Sequence, residues 1–374
     1  VADTIVKAIR TYNELHCSNE VYEEQQPFVL GLTTGRTPLG LYRELVKRHK
    51  EGLVSFRNVA VFSLDEFFPI TPEELQSRNY SIHESLLDLV DIAPENIHIP
   101  DGTLPQDEVA AFCREYESKI EEYDGIDLMI LGTGVQGQIG FNEPGSYTNT
   151  RTRLVALGNE SRKSAASIFY GIDYVPHKAI TMGLGTILGA KRIILIAWGE
   201  EKAQVIKDTV EGEKQLIVPA TCLQDHPNVE VVVDEGASSQ LTRVKTPWLV
   251  GRCLWPSRFI RTAVLWLCEQ VRKPILKLTN KDYGLAGRQA ERRRLDPSRA
   301  GLPLPQARGD FQSASGRRRD LDGRYVPAPD HAGTRRARSL RDIGQHRRAR
   351  RRRTADDRHG PRMRIRRQIR RSEA

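Results

Sequence analysis

Leu131-Gly-Thr-Gly-Val-Gln-Gly-Gln-Ile-Gly-Phe-Asn-Glu-Pro144 is the stretch on which the reading of this chain turns. It continues the apolar run Ile126-Asp-Leu-Met-Ile-Leu131, which predicts a buried strand of a parallel sheet. Glycines 132, 134, 137 and 140 let the backbone bend tightly and come close to a ligand, and Gln136, Gln138, Asn142 and Glu143 are set among them. Ligands of open α/β sheets bind beyond the carboxyl ends of strands, so chemistry is expected here. Gly132-x-Gly134-x-x-Gly137 satisfies the dinucleotide fingerprint literally, but that fingerprint needs a helix to open at its third glycine. Asn142-Glu-Pro-Gly-Ser146 breaks the chain within nine residues, which sets a nicotinamide site aside. A purely structural Gly-rich turn stays open for this stretch taken alone.

Working outward, Phe28-Val-Leu-Gly-Leu32 predicts a first central strand running into Thr33-Thr-Gly-Arg-Thr-Pro38 and a helix that buries Leu39, Tyr42, Leu45 and Val46. Pro38 suits the first helical position, with Thr37 as N-cap. Orphan N–H groups at such a helix start, joined by hydroxyls and a guanidinium, make Thr34, Gly35, Arg36 and Thr37 a candidate phosphate cradle. A capped turn with no ligand is an equal alternative. Asn58-Val-Ala-Val-Phe-Ser-Leu64 predicts another buried strand ending at Asp65-Glu66. Asp65, among Leu64, Phe67 and Phe68, is a candidate base whose pKa apolar surroundings would raise; an N-cap or surface carboxylate is the competing reading. Helices are further expected over 2–16, 71–92, 109–123 and 161–169, and strands over 151–157, 191–198 and 229–233. Thr181-Met-Gly-Leu-Gly-Thr186 reads as a second close-approach loop. Lys202, in the first turn after Gly199, reads by itself as a solvated helix charge. Strands alternating with helices, without an internal repeat, predict one doubly wound, mostly parallel, Rossmann-like sheet.

Composition divides the chain. Residues 285–374 carry 27 Arg, no Lys and 10 Asp or Glu, a net charge of +17, so against +9 for the whole chain residues 1–284 are net −8. The body, 1–245, reads as the catalytic domain and 246–284, with Trp248, Trp255 and Trp266, as a helical extension packing on it. The tail, 285–374, shows no helical or strand period and is expected to be disordered. It is either a basic arm able to bind nucleic acid electrostatically or a non-native, out-of-frame sequence. Its Lys-free, Arg/Gly/Ala/Asp/Pro-rich bias favours the second, and Phe311 and Tyr325 are too few for base stacking. Five scattered cysteines (17, 113, 222, 253 and 268) argue for reduced thiols in the cytoplasm, against disulfides or a zinc site. No run predicts a membrane span or a signal peptide. Val1 already falls in a helical pattern, so the native start is expected upstream.

Four ordered motifs, Gly31-Leu-Thr-Thr-Gly-Arg-Thr-Pro38, Phe62-Ser-Leu-Asp-Glu-Phe67, the Gly-rich stretch ending Gly-Phe-Asn-Glu-Pro144, and Thr181-Met-Gly-Leu-Gly-Thr186, resemble those of glucosamine-6-phosphate deaminases, in the sugar-phosphate isomerase/deaminase superfamily. The resemblance runs from the first residue to about Gly284. It extends to a long-chain subgroup that carries a further, deacetylase-like domain. It implies conversion of glucosamine 6-phosphate to fructose 6-phosphate and ammonia, without metal or organic cofactor, by an expected homo-oligomer whose partner is a small phosphosugar. In that comparison Asp65 matches the general base and Glu143 the relay glutamate. Thr34, Gly35, Arg36, Thr37 and Lys202 match phosphate contacts. Gln136 and Gln138 stand where the family places Asp and His, and a glutamine amide shuttles no proton near pH 7. Ile168 stands where the family usually has a phosphate-binding arginine, which Arg36 would replace. Two alternatives follow: a catalytically weak phosphosugar-binding or sensor protein, and, disfavoured by Phe141-Asn-Glu-Pro144, a 6-phosphogluconolactone hydrolase.

Overall fold

The structure, a computed structural model, describes residues 1–16, 26–250, 253–282 and 364–367. Its elements in order are α1 (Ala2–His16), β1 (Phe28–Leu32), α2 (Leu39–Lys50), β2 (Val59–Ser63), β3 (Asp65–Phe68), α3 (Arg78–Ser85), β4 (Ile97–His98), α4 (Val109–Glu122), β5 (Leu128–Gly132), β6 (Arg153–Ala156), α5 (Asn159–Ala165), β7 (Lys178–Thr181), α6 (Leu184–Leu188), β8 (Ile193–Ala197), α7 (Ala203–Glu211), β9 (Val229–Val233), α8 (Glu235–Ser238), α9 (Thr242–Lys245), α10 (Ser257–Val271) and β10 (Arg364–Arg367).

The main sheet has the order β10-β9-β8-β5-β1-β2-β4, and every pairing in it is parallel. Its central strands are apolar throughout because both faces are covered. Val29, Met129, Leu131, Ile193 and Leu195 enter one core with Tyr116, Ile120 and Ile206. Leu30, Leu128, Ile130, Ile194 and Ile196 enter the other with Ile5, Tyr42 and Leu45. That two-residue alternation is the strand period itself. The chain builds outward from β1 to β2 and β4, then returns to lay β5 on the other side of β1. The carboxyl ends of β1 and β5 therefore flank the point where strand order reverses, the place where open α/β sheets bind ligands.

The doubly wound, mostly parallel sheet is as the pattern of elements predicts, but it is not alone. A second, antiparallel sheet in the order β3-β7-β6 holds Asp65–Phe68, so Asp65 and Glu66 lie in a strand and not in a loop or at a helix start. The helix expected over 71–92 shrinks to α3, followed by short 3-10 turns at Leu87–Leu89 and Pro94–Asn96. Pro72 and the Ser77 N-cap, whose hydroxyl accepts from Tyr80 N, postpone its start. Helix α2 begins one residue late: Pro38 occupies the cap position, with no side-chain cap hydrogen bond from Thr37. In the extension, Trp248 stacks on Trp255 at 6.0 Å and meets Trp266 edge-on at 6.2 Å. Cys17, and of the tail residues 285–363 and 368–374, lie outside the described residues, and with them the readings placed there. Arg364–Arg367 pair with Glu230–Val233 of β9.

Candidate active site

Leu64 is where the chain passes from one sheet to the other. Its N–H donates to Leu32 O in the main sheet, and its carbonyl accepts from Met182 N beyond β7. Asp65 follows, 5% exposed, opposite Thr181 in register. Burial pushes its carboxyl above the usual carboxylate range, against the pull of Arg78, whose Nε lies 3.8 Å from Oδ1. The other titratable groups facing it are the buried phenols of Tyr42 on α2 and Tyr116 on α4, both held protonated by burial. A desolvated carboxylate with one nearby cation and no hydrogen-bond donor among the described residues is suited to taking a proton from carbon.

Glu66, next in the strand and 1% exposed, is likewise pushed up by burial but is held by hydrogen bonds. Its oxygens accept from Phe67 N at 2.8 Å, Arg78 N at 2.9 Å, Asn79 N at 2.8 Å and Ser77 Oγ at 2.8 Å. It satisfies the orphan donors at the start of α3 and so fixes where that helix begins.

The turn after β1 is pinned from two sides. Tyr42 donates its hydroxyl to Thr33 O, and Trp198 donates its indole N–H to Thr37 O at 3.1 Å. Gly35 takes φ +97°, a conformation that only glycine adopts freely. Thr34 Oγ1 is buried without a hydrogen-bond partner, whereas Arg36 is exposed. Nearby along the chain, Trp198 leads into Gly199, whose N–H is held by both oxygens of Asp234 at 3.1 Å. Lys202 follows on a 3-10 turn just before α7, half-buried, its pKa lowered by burial. It makes no ion pair with a described residue.

The Gly-rich segment after β5 closes largely on itself. Gly134 N donates to Gln138 O at 2.9 Å and Gln136 N to Gln138 Oε1 at 3.0 Å. The Gln138 amide lies against Gly134, where a Cβ would have no room. Gln136 itself is exposed. Asn142, fully buried, donates to Ile139 O and Met182 O and accepts from Arg153 Nη1 at 3.0 Å. Glu143 places both carboxylate oxygens on Gly158 N at the start of α5, 3.0 and 3.1 Å away. Gly140, at φ +56°, comes closest to the chemistry: a Cβ there would fall 2.9 Å from Thr181 Oγ1 and 3.2 Å from Asp65 Oδ2. The Thr181–Thr186 loop does make a close approach, but to the chain itself, with Gly183 packed on the backbone of Thr150 and Arg151.

Asp65 is thus brought together with Gly140 and, through Arg78, with the Gly35 turn. The carboxylate of Glu143 is engaged elsewhere. Arg78 was not a sequence candidate, and neither were Trp198 nor Asp234; each acts across a tertiary contact that no local pattern announces. Recesses of about 630 Å³, around Ile70 and Phe169, and about 330 Å³, around Glu143 and Arg153, include none of Asp65, Thr34 and Lys202. Among the described residues no cluster of His, Cys, Asp or Glu forms a metal site, and no helix is long and apolar enough to cross a membrane.

Residues 3–233 match the glucosamine-6-phosphate isomerase/6-phosphogluconolactonase family. A glucosamine-6-phosphate deaminase-like protein of Bacteroides thetaiotaomicron is 49% identical over 259 residues, 69% of this chain and 39% of that relative, so the chain spans well under half of that protein's length. A glucosamine-6-phosphate deaminase of Thermoanaerobacter pseudethanolicus is 41% identical over 241 residues, 63% of this chain and 94% of the relative. Among solved structures, a monomeric glucosamine-6-phosphate deaminase of the NagB superfamily superposes with a TM-score of 0.57 at 35% identity, covering 63% of this chain and 94% of its own.

Proposed function

The chain belongs to the glucosamine-6-phosphate isomerase/6-phosphogluconolactonase family, and from that premise we propose that it is a glucosamine-6-phosphate deaminase, converting glucosamine 6-phosphate and water to fructose 6-phosphate and ammonia. The observation that carries this reading is Asp65: a buried carboxylate that no described residue donates to, beside the close-packed Gly140 and one arginine away from the turn after β1. The names of the relatives favour deamination over lactone hydrolysis.

In this reading the phosphate rests on the Thr34–Thr37 turn, assisted by the helix start of α2 and by Lys202. Asp65 takes the proton from C2 of the open-chain sugar and returns it to C1, which leaves an imine at C2. Water replaces the nitrogen, and ammonia departs. Fixing the phosphate at one end and the base at the other makes the proton transfer effectively intramolecular. Gln138 is engaged with Gln136 N, and Glu143 with Gly158 N. The reading therefore assigns Asp65 the open-chain aldehyde, with ring opening left to solvent. Residues 1–245 serve as the catalytic domain and 246–284 as its extension, in a reduced cytoplasmic setting consistent with the buried free thiols of Cys113 and Cys222. The longer Bacteroides relative leads us to place a further, deacetylase-like domain in full-length members of this subgroup.

The test is direct. The full chain, given glucosamine 6-phosphate, is expected to release ammonia and fructose 6-phosphate in equal amounts. Hydrolysis of 6-phosphogluconolactone without ammonia release would reject the reading.

A further inference from the structure

Arg78 has surroundings unlike those of an arginine that serves the fold alone. Its Cζ lies 4.8 Å from the ring centre of Phe67 and 5.8 Å from that of Phe141, so the guanidinium is held on two aromatic faces. Such packing fixes the plane of the group and leaves its N–H edge to find acceptors. Nε is buried with no acceptor, and Asp65 Oδ1, at 3.8 Å, is too distant for a hydrogen bond. Nη1 reaches the turn after β1, 4.0 Å from where a Cβ on Gly35 would stand. Thr34 Oγ1, next to Gly35 in that turn, is likewise buried and unpartnered. Arg162 and Arg192 also leave Nε without an acceptor, but each closes its Nη2 on a partner, Ile172 O and Glu230, as Arg48 closes on Asp3 and Glu44 and Arg153 on Asn142. Buried donors without acceptors are costly and uncommon, and two of them border one glycine turn at the switch point of the sheet.

We propose that Arg78 is a substrate-binding residue whose Nη end donates to the phosphoryl oxygens of the phosphosugar held at the Thr34–Thr37 turn, while its Nε edge keeps positive charge beside Asp65. Arg78 then supplies a second phosphate cation beside Lys202. Ile168, 41% exposed and apolar, cannot supply it. Because α3 is anchored through the backbone N–H of residue 78 on Glu66, the side chain can be changed without removing that anchor. The inference rests on the deaminase reading in taking a phosphosugar as the ligand and, for its pH dependence, Asp65 as the base.

Binding of glucitol 6-phosphate, which carries the phosphate but no C1 carbonyl to react, tests it by calorimetry on the full chain. Arg78→Gln is expected to weaken binding at least tenfold, and a Kd within twofold of wild type overturns the proposal. Should that variant fail to fold, Arg78→Lys decides: one ammonium in place of a fork should weaken binding three- to tenfold, and an unchanged Kd again overturns it. A second readout separates contact from scaffolding. Loss of the cation beside Asp65 should move the acid limb of kcat/KM to higher pH in Arg78→Gln, since the cation favours the ionised base; an unmoved limb rejects the Asp65 part of the proposal. A wild-type chain that binds no phosphosugar defeats the functional reading itself, and this inference falls with it.

Discussion

Two strand exits meet around Asp65, and they use their polar groups in opposite ways. After β5, the segment with the most distinctive sequence has committed nearly every side chain to its own scaffold: Gln138 to Gln136 N, Asn142 to three partners, Glu143 to Gly158 N. After β1, a plainer turn leaves Thr34 Oγ1 unpartnered and faces an arginine whose Nε has no acceptor. Asp65 and Glu66 repeat the contrast within one strand, the first without donors among the described residues and the second with four. A buried polar group that is fully satisfied holds structure in place; one that is not retains interaction energy for a ligand or a proton. Distinctive sequence and available chemistry therefore do not coincide here.

The largest effect should come from Asp65→Asn, which removes the base and keeps the shape. Ammonia release is expected to fall by roughly 10³-fold, with glucitol 6-phosphate binding little changed. Retained turnover would erase the contrast with Glu66. Glu66→Ala sharpens the same contrast from the other side. It orphans two backbone N–H groups and one hydroxyl at the start of α3, and Phe67 N in β3, and should cost about 3 kcal/mol in denaturant unfolding. Smaller again, Lys202→Ala is expected to weaken phosphosugar affinity about tenfold while leaving thermal stability nearly intact, because the ammonium has no ion-pair partner among the described residues to lose. An unchanged Kd would return Lys202 to the status of an ordinary helix charge.

The smallest effect is a gain. Burial holds the Asp65 carboxyl above its ordinary value. Between that value and the raised one, the folded chain keeps a proton that the unfolded chain has lost, so stability falls as pH rises through the window and stays reduced above it. Asp65→Asn should therefore be more stable than wild type at pH 7, by an amount on the order of 1 kcal/mol, a common size for relieving an active-site strain. The advantage should shrink towards pH 3, where both states of the wild type are protonated. Melting curves at the two pH values read this out, and a variant less stable at pH 7 would argue against a desolvated base.

Much of the fold was legible in the chain alone. The apolar runs Phe28–Leu32, Val59–Ser63, Leu128–Gly132, Ile193–Ala197 and Val229–Val233 are strands because a parallel sheet covered on both faces demands nearly continuous apolar residues, broken here only by Ser63 and Glu230. The amphipathic spacing of α1, α2 and α4 likewise needs no partner to be seen. The second sheet was not legible. Asp65–Phe68 pairs with Lys178–Thr181, more than a hundred residues on, and four residues of mixed polarity carry no period of their own. The shortening of α3 belongs with it, since that helix starts where Glu66 reaches its N–H groups and not where an apolar face begins.

What the residues determined by themselves was local: which segments are strands and helices, where glycine permits a turn, and which residue types are able to carry a proton or hold a phosphate. The assignment of those residues to scaffold or to site was decided only in three dimensions. Desolvation and hydrogen-bond satisfaction depend on neighbours brought from distant parts of the chain, as when Arg78 is set between Phe67, Phe141, Gly35 and Asp65. No spacing along the chain encodes that meeting.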